Sequence, residues 1–117
     1  MNVARARETR RFETANSAQV LQAAVGALQD SGFTIEETQA EAGLVTALKL
    51  TGARIRVQIS VRRLPGRDAT VARATFQRVV PRPGAMLAMG EVLDDPQLYR
   101  DFFERMSQSL FLTANEI

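Results

Sequence analysis

The sequence predicts an α+β domain: one antiparallel sheet of four to five strands with two helices on a single face, in the order β-α-β-β-β-β-α. Three observations carry this. The chain has 117 residues, the usual size of one domain. Residues 54–62 alternate without a break, with Ile55, Val57, Ile59 and Val61 apolar and the even positions polar, the mark of a strand with one buried and one wet face. Capped segments with apolar stripes at helical spacing lie near both ends of the chain. Runs of strand between two amphipathic helices bury most apolar surface when both helices share one face.

Residues 1–9 are polar and charged without an apolar period and read as an arm or tether, leaving 10–117 as one domain. Arg10 to Thr14 suits a short first strand with Phe12 inward. Asn16 is a natural N-cap, and Gln19 three residues on completes a capping box. Val20, Leu21, Ala24, Val25 and Leu28 form the apolar stripe of the first helix, which Asp30-Ser31-Gly32 ends. Phe33 to Glu37 alternates as a strand with Phe33 and Ile35 facing the core. Gln39 to Ala42 is a connection, and Leu44 to Leu50 a further strand before a turn at Thr51-Gly52. After the strand at 54–62, Leu64 to Asp68 turns the chain. Thr70 to Val80 then returns with Ala72, Ala74 and Phe76 on one face. Pro81 to Gly84 breaks that strand. Ala85 to Val92 reads equally as a loop or a short edge strand. Asp95 as N-cap and Pro96 at the first helical position open the last helix, which runs to about Leu112. Its stripe of Leu98, Phe102, Met106 and Leu110, widened by Tyr99 and Phe103, reads as core.

The chain contains no Cys, His or Trp, which excludes thiolate nucleophiles, Cys/His zinc sites, disulfides and imidazole-dependent triads. The remaining carboxylates form two adjacent pairs. Strand alternation sends Glu36 and Glu37 to opposite faces, so they cannot share a proton, and Asp94-Asp95 serves a helix start. No Gly-rich phosphate loop occurs, and no spacing suggests metal ligands. A binding domain without catalytic residues, cofactor or metal is the expectation. No apolar run approaches a membrane span, and the first residues have no signal-peptide core.

Charge is strongly segregated beneath a net +2. Residues 54–82 hold eight arginines against Asp68 alone, whereas 13–49 and 91–117 are acidic. Arg54, Arg56 and Arg62 project from one strand face, and Arg73 joins them if the next strand exposes the side opposite Ala72 and Ala74. Such a face suits phosphates or an acidic partner. It lacks exposed aromatics for base stacking, which argues against nucleic acid. The plainer reading is a solvated face whose charges discourage edge pairing. Met86, Leu87 and Met89 form a second candidate, as an adaptable apolar patch or as part of the core.

Thr9 to Thr14, Val20 to Ala24 running on through Leu28 to Ile35, Gly43 to Ala47, and Asp94 to Tyr99 with Phe102-Phe103 and Ser109 to Leu112 also share a pattern in order and spacing. Over residues 9–115 it resembles the small lipoprotein-type domains of proteobacterial envelopes, whose function is unassigned. More remotely it is similar to the helix-grip domains of a lipoprotein of the outer-membrane barrel-assembly machinery. The resemblance implies a helix-grip-like fold in the periplasm. It further implies a tether to the outer membrane through a lipidated N-terminal Cys, and contacts with an envelope protein or with copies of itself. The chain departs from that pattern in having no Cys, so the membrane is reached only through an anchor outside it; with Met1 as the natural start the domain is cytoplasmic. The alternative function is an anion-binding module for lipopolysaccharide, anionic lipid or nucleic acid.

Overall fold

The computed structural model describes residues 8–50, 54–81 and 87–114, with the backbone alone at 80, 81, 87–91 and 112–114. The elements are β1 (Thr9–Phe12), α1 (Ser17–Asp30), β2 (Thr34–Gln39), a 3-10 turn (Ala40–Ala42), β3 (Leu44–Lys49), β4 (Ile55–Arg63), β5 (Thr70–Pro81), β6 (Leu87–Val92) and α2 (Pro96–Ala114). This is the expected mixed α+β order, with the ambiguous segment before the last helix resolved as a sixth strand. The expected turn at Thr51-Gly52 and most of the break at 81–84 lie outside the described residues.

All pairings are antiparallel, and the sheet runs β1-β5-β4-β3-β2. β5 is its hub. One edge pairs with β4 over nine positions, Ile55↔Arg78 to Arg63↔Thr70. The other edge is shared end to end: β1 covers Thr70 to Arg73 and β6 covers Gln77 to Pro81. Between them the Ala74 N–H donates to the Glu8 carbonyl and the Phe76 carbonyl accepts from the Leu93 N–H, both at 2.8 Å. Glu8, which precedes residue 10, is therefore bonded to β5 and buried.

Local chemistry sets the helix ends. The Asn16 side chain accepts from the Gln19 N–H at 3.0 Å, the first half of a capping box. The second half is replaced: the Asn16 N–H donates to Thr14 Oγ1 at 3.2 Å instead of to Gln19. At the far end of α1 the Phe33 N–H reaches the Leu28 carbonyl and the Gly32 N–H the Gln29 carbonyl. This reciprocal closure needs the left-handed backbone of Gly32, φ 89°. Asp95 Oδ1 caps α2 through the Gln97 N–H at 3.0 Å.

The core lies between the sheet and both helices. Val57 and Ile59 are fully buried and Val61 nearly so, beside Val45, Ala47, Ala72 and Ala74. Alanines on neighbouring strands leave room for larger side chains from the helices. Phe76 occupies the centre, edge-on to Tyr99 (5.3 Å), Phe102 (5.6 Å) and Phe33 (6.1 Å). The buried stripe of α2 is centred on Tyr99, Phe102, Phe103 and Met106, while Leu98 and Leu110 are only partly buried at its margins. The Tyr99 hydroxyl satisfies two backbone groups in this core, donating to the Leu93 carbonyl (2.6 Å) and accepting from the Phe76 N–H (3.4 Å).

Candidate binding surface

With the odd positions of β4 sealed against the helices, its even positions form the open face of the sheet. The register extends that face across its neighbours. Arg56 lies opposite Gln77 and Leu48, Ser60 opposite Arg73 and Leu44, and Arg62 opposite Val71. β1 then adds Thr9 opposite Arg73 and Arg11 opposite Val71. Arg54, just before β4, holds the Val79 N–H through its carbonyl (2.9 Å) and is exposed. Arg54, Arg56, Arg62 and Arg73 thus share a face, but they do not form one cluster.

Their ion pairs divide them. Arg56 is tied to Glu36 (Nε to Oε1, 3.4 Å), which neutralises the part of the face nearest β2. Alternation from the inward Ile35 places Glu36 on this face, and a β-bulge between Ile35 and Glu37 then alters the side of Glu37. Simple alternation would have put Glu36 and Glu37 on opposite faces. The extra residue instead leaves Glu37 opposite Thr46, on the open face, while Glu36 reaches Arg56 on the same side. Glu37 in turn accepts from the Gln39 amide at 2.7 Å. At the other end, Arg73 Nη2 lies 3.7 Å from the buried Glu8 carboxylate, and Arg11 pairs with Glu13 at 2.8 Å. Arg62 is exposed and forms no ion pair among the described residues.

A trough of about 440 Å³ opens here, lined by Thr9, Ser60, Arg62, Val71 and Arg73, with Ala42 and Val61 at its end. Its wall beside Ala42 is set by a close approach. The Gly43 carbonyl accepts from the Val61 N–H at 2.8 Å, and a Cβ at Gly43 would stand 2.2 Å from the Val61 carbonyl oxygen. Only glycine brings the 3-10 turn this near to β4. The hydroxyls of Ser60 and Thr9 have no hydrogen bond among the described residues. Two guanidinium groups and two hydroxyls therefore surround one depression.

The block of eight arginines is otherwise dispersed. Arg78 lies opposite Ile55 and Arg63 opposite Thr70, both on the helix side of the register, and Arg63 is 3.9 Å from Asp68. Arg10 turns inward, its guanidinium 5.3 Å from the Phe103 ring centroid. Thr9, Arg11 and Ser60 were not singled out by the sequence. Arg11 has the right chemistry, but its neighbours depend on which strand β1 joins. Of the apolar candidates, Met86 lies outside the described residues. Leu87 and Met89 lie in the backbone of β6, opposite Pro81 and Val79.

Burial raises the pKa of Tyr99 above 10.0, and the nearby carboxylates of Glu8 and Asp94 act in the same direction against the Phe76 N–H. Among the described residues no three His, Cys, Asp or Glu side chains come together as a metal donor set. No described helix is long and apolar enough to cross a membrane. Comparison of the chain with protein-family models and with curated proteins gives no match.

Proposed function

We propose that this chain is a non-enzymatic binding domain of the bacterial envelope that meets an acidic protein partner on the open face of its sheet. The observation that supports this reading most is the asymmetry of the sheet. One face is filled by the helices, and the other presents Arg62 and Arg73 around a trough whose lining contains no carboxylate. A guanidinium fork binds carboxylates bidentately and gives orientation as well as attraction. The shared order of residues 9–115 with envelope lipoprotein-type domains supports a periplasmic setting and an outer-membrane tether.

Titration of the domain with a glutamate-rich peptide tests the binding reading. Binding is expected at low ionic strength, to weaken steeply as salt rises, and to be lost in the Arg62→Ser/Arg73→Ser double variant. Unchanged affinity in that variant would overturn it. Fractionation of cells producing the full-length protein tests the setting: recovery with outer membranes is expected, and recovery in the cytosol would remove the envelope assignment.

A further inference from the structure

We infer that the trough between β1, β5 and β4 is a site for a phosphate monoester. The inference rests on the reading of the open face as the binding surface and specifies what chemistry one part of that face takes. Thr9, Arg73 and Ser60 stand side by side on three adjacent strands, spaced about 4.8 Å apart. Arg62 stands two residues along β4 from Ser60, diagonal to Arg73. The donors thus approach the hollow from β1, β5 and β4. A carboxylate is planar, and one guanidinium fork engages both of its oxygens. A tetrahedral phosphoryl group offers three oxygens, and those match separate donors converging from three strands.

Charge points the same way. Arg62 is uncompensated among the described residues, Arg73 shares its charge with Glu8 only at 3.7 Å, and no acidic side chain lines the trough. A phosphate monoester carries about −1.5 to −2 at neutral pH, and it meets two guanidiniums here, of which Arg73 is partly offset by Glu8. The cleft beside the C-terminal end of α1 makes the contrast. There Lys49 and Arg105 are set against Asp30 and Asp101, and the Lys49 ammonium already lies 5.8 Å over the Phe33 ring. At about 440 Å³ the trough exceeds a bare phosphate and has space for the group that carries it.

The test is amide chemical-shift mapping of the domain with four probes at low salt: inorganic phosphate, glycerol phosphate as a lipid-headgroup fragment, a phosphoserine peptide, and the same peptide with Glu at that position. Saturable shifts at Ser60, Arg62 and Arg73 are expected with at least one phosphoryl probe, and the tightest names the source of the group. The Glu peptide should bind roughly tenfold or more weakly than the phosphoserine peptide or glycerol phosphate. Arg62→Ser should abolish the shifts, and Arg62→Lys, which keeps charge and loses the fork, should weaken binding by roughly tenfold. Phosphoryl probes that do not bind, bind elsewhere, or bind no better than the Glu peptide would overturn the inference. The Glu peptide binding at Arg62 and Arg73 without phosphoryl preference leaves the acidic-partner reading standing and removes this one. Selective phosphoryl binding with no response to any acidic peptide does the reverse.

Discussion

At Gly43 a single hydrogen atom in place of a side chain decides how the 3-10 turn meets β4. The residue has φ 68°, and its Cβ would overlap the Val61 carbonyl oxygen, a backbone atom that cannot swing away. Gly32 shares the positive φ, but a Cβ there meets only the flexible Lys49 side chain at 3.7 Å. Gly32→Ala should therefore cost about 1 kcal/mol, the left-handed penalty alone. Gly43→Ala should cost roughly 2–4 kcal/mol, because turn and strand must also separate. Urea unfolding of the two variants checks the difference. Tyr99 makes the corresponding argument for a polar atom. Tyr99→Phe strands the Leu93 carbonyl and the Phe76 N–H, at a cost of about 1–3 kcal/mol. It also removes a titration. The folded pKa lies above 10.0, so between the two values the unfolded chain has lost a proton that the native protein keeps. The contribution is complete below pH 10.0 and is lost as pH rises through the folded value. Wild-type stability should thus fall above pH 10.0, and the fall should be shallower in Tyr99→Phe.

Along β4 the period-two pattern turns into two different materials on one strand. Ile59 is fully buried among residues of the core, while Gln58 beside it is exposed. Ile59→Ala should destabilise by about 2–5 kcal/mol. Gln58→Ala should stay within about 0.5 kcal/mol, as read from the denaturation midpoint at constant m-value. This element, both helices and their caps were legible in the sequence because the features that fix them lie within a few residues. β2 was legible only in part. Its bulge follows from pairing with β3, and no local feature of Thr34 to Gln39 announces it, so the side of Glu37 could not be read, nor could the strand neighbour that brings Arg56 to Glu36. β6 was similarly open: Leu87 to Val92 becomes a strand because β5 extends beyond β1 and offers unpaired backbone groups to it.

For the molecule as a whole, β5 is the strand on which the rest converges. It pairs with β4 on one side and with β1 and β6 in succession on the other, and Phe76 at its middle meets both α2 and Phe33, just ahead of β2. β2 pairs with β3 alone among the described strands, and five of its six residues are exposed. Native-state hydrogen exchange should accordingly be slowest at the amides of Val57, Ile59, Ala74 and Phe76, approaching the global unfolding free energy, and fastest in β2. Equal protection in β2 and β5 would contradict this hierarchy.

Composition and local periodicity alone determined the class of the domain, its helices, the inward set of β4 and the want of thiol and imidazole chemistry, since each is a property of neighbouring residues. The tertiary structure decided which arginines stand together. Arg56 is neutralised by a carboxylate twenty positions away, Arg11 is carried by its own edge strand to Val71, sixty positions away, and Arg62 is left facing Arg73 across a hollow. Strand partners are chosen by the burial of the whole core, and no stretch of chain contains that information by itself.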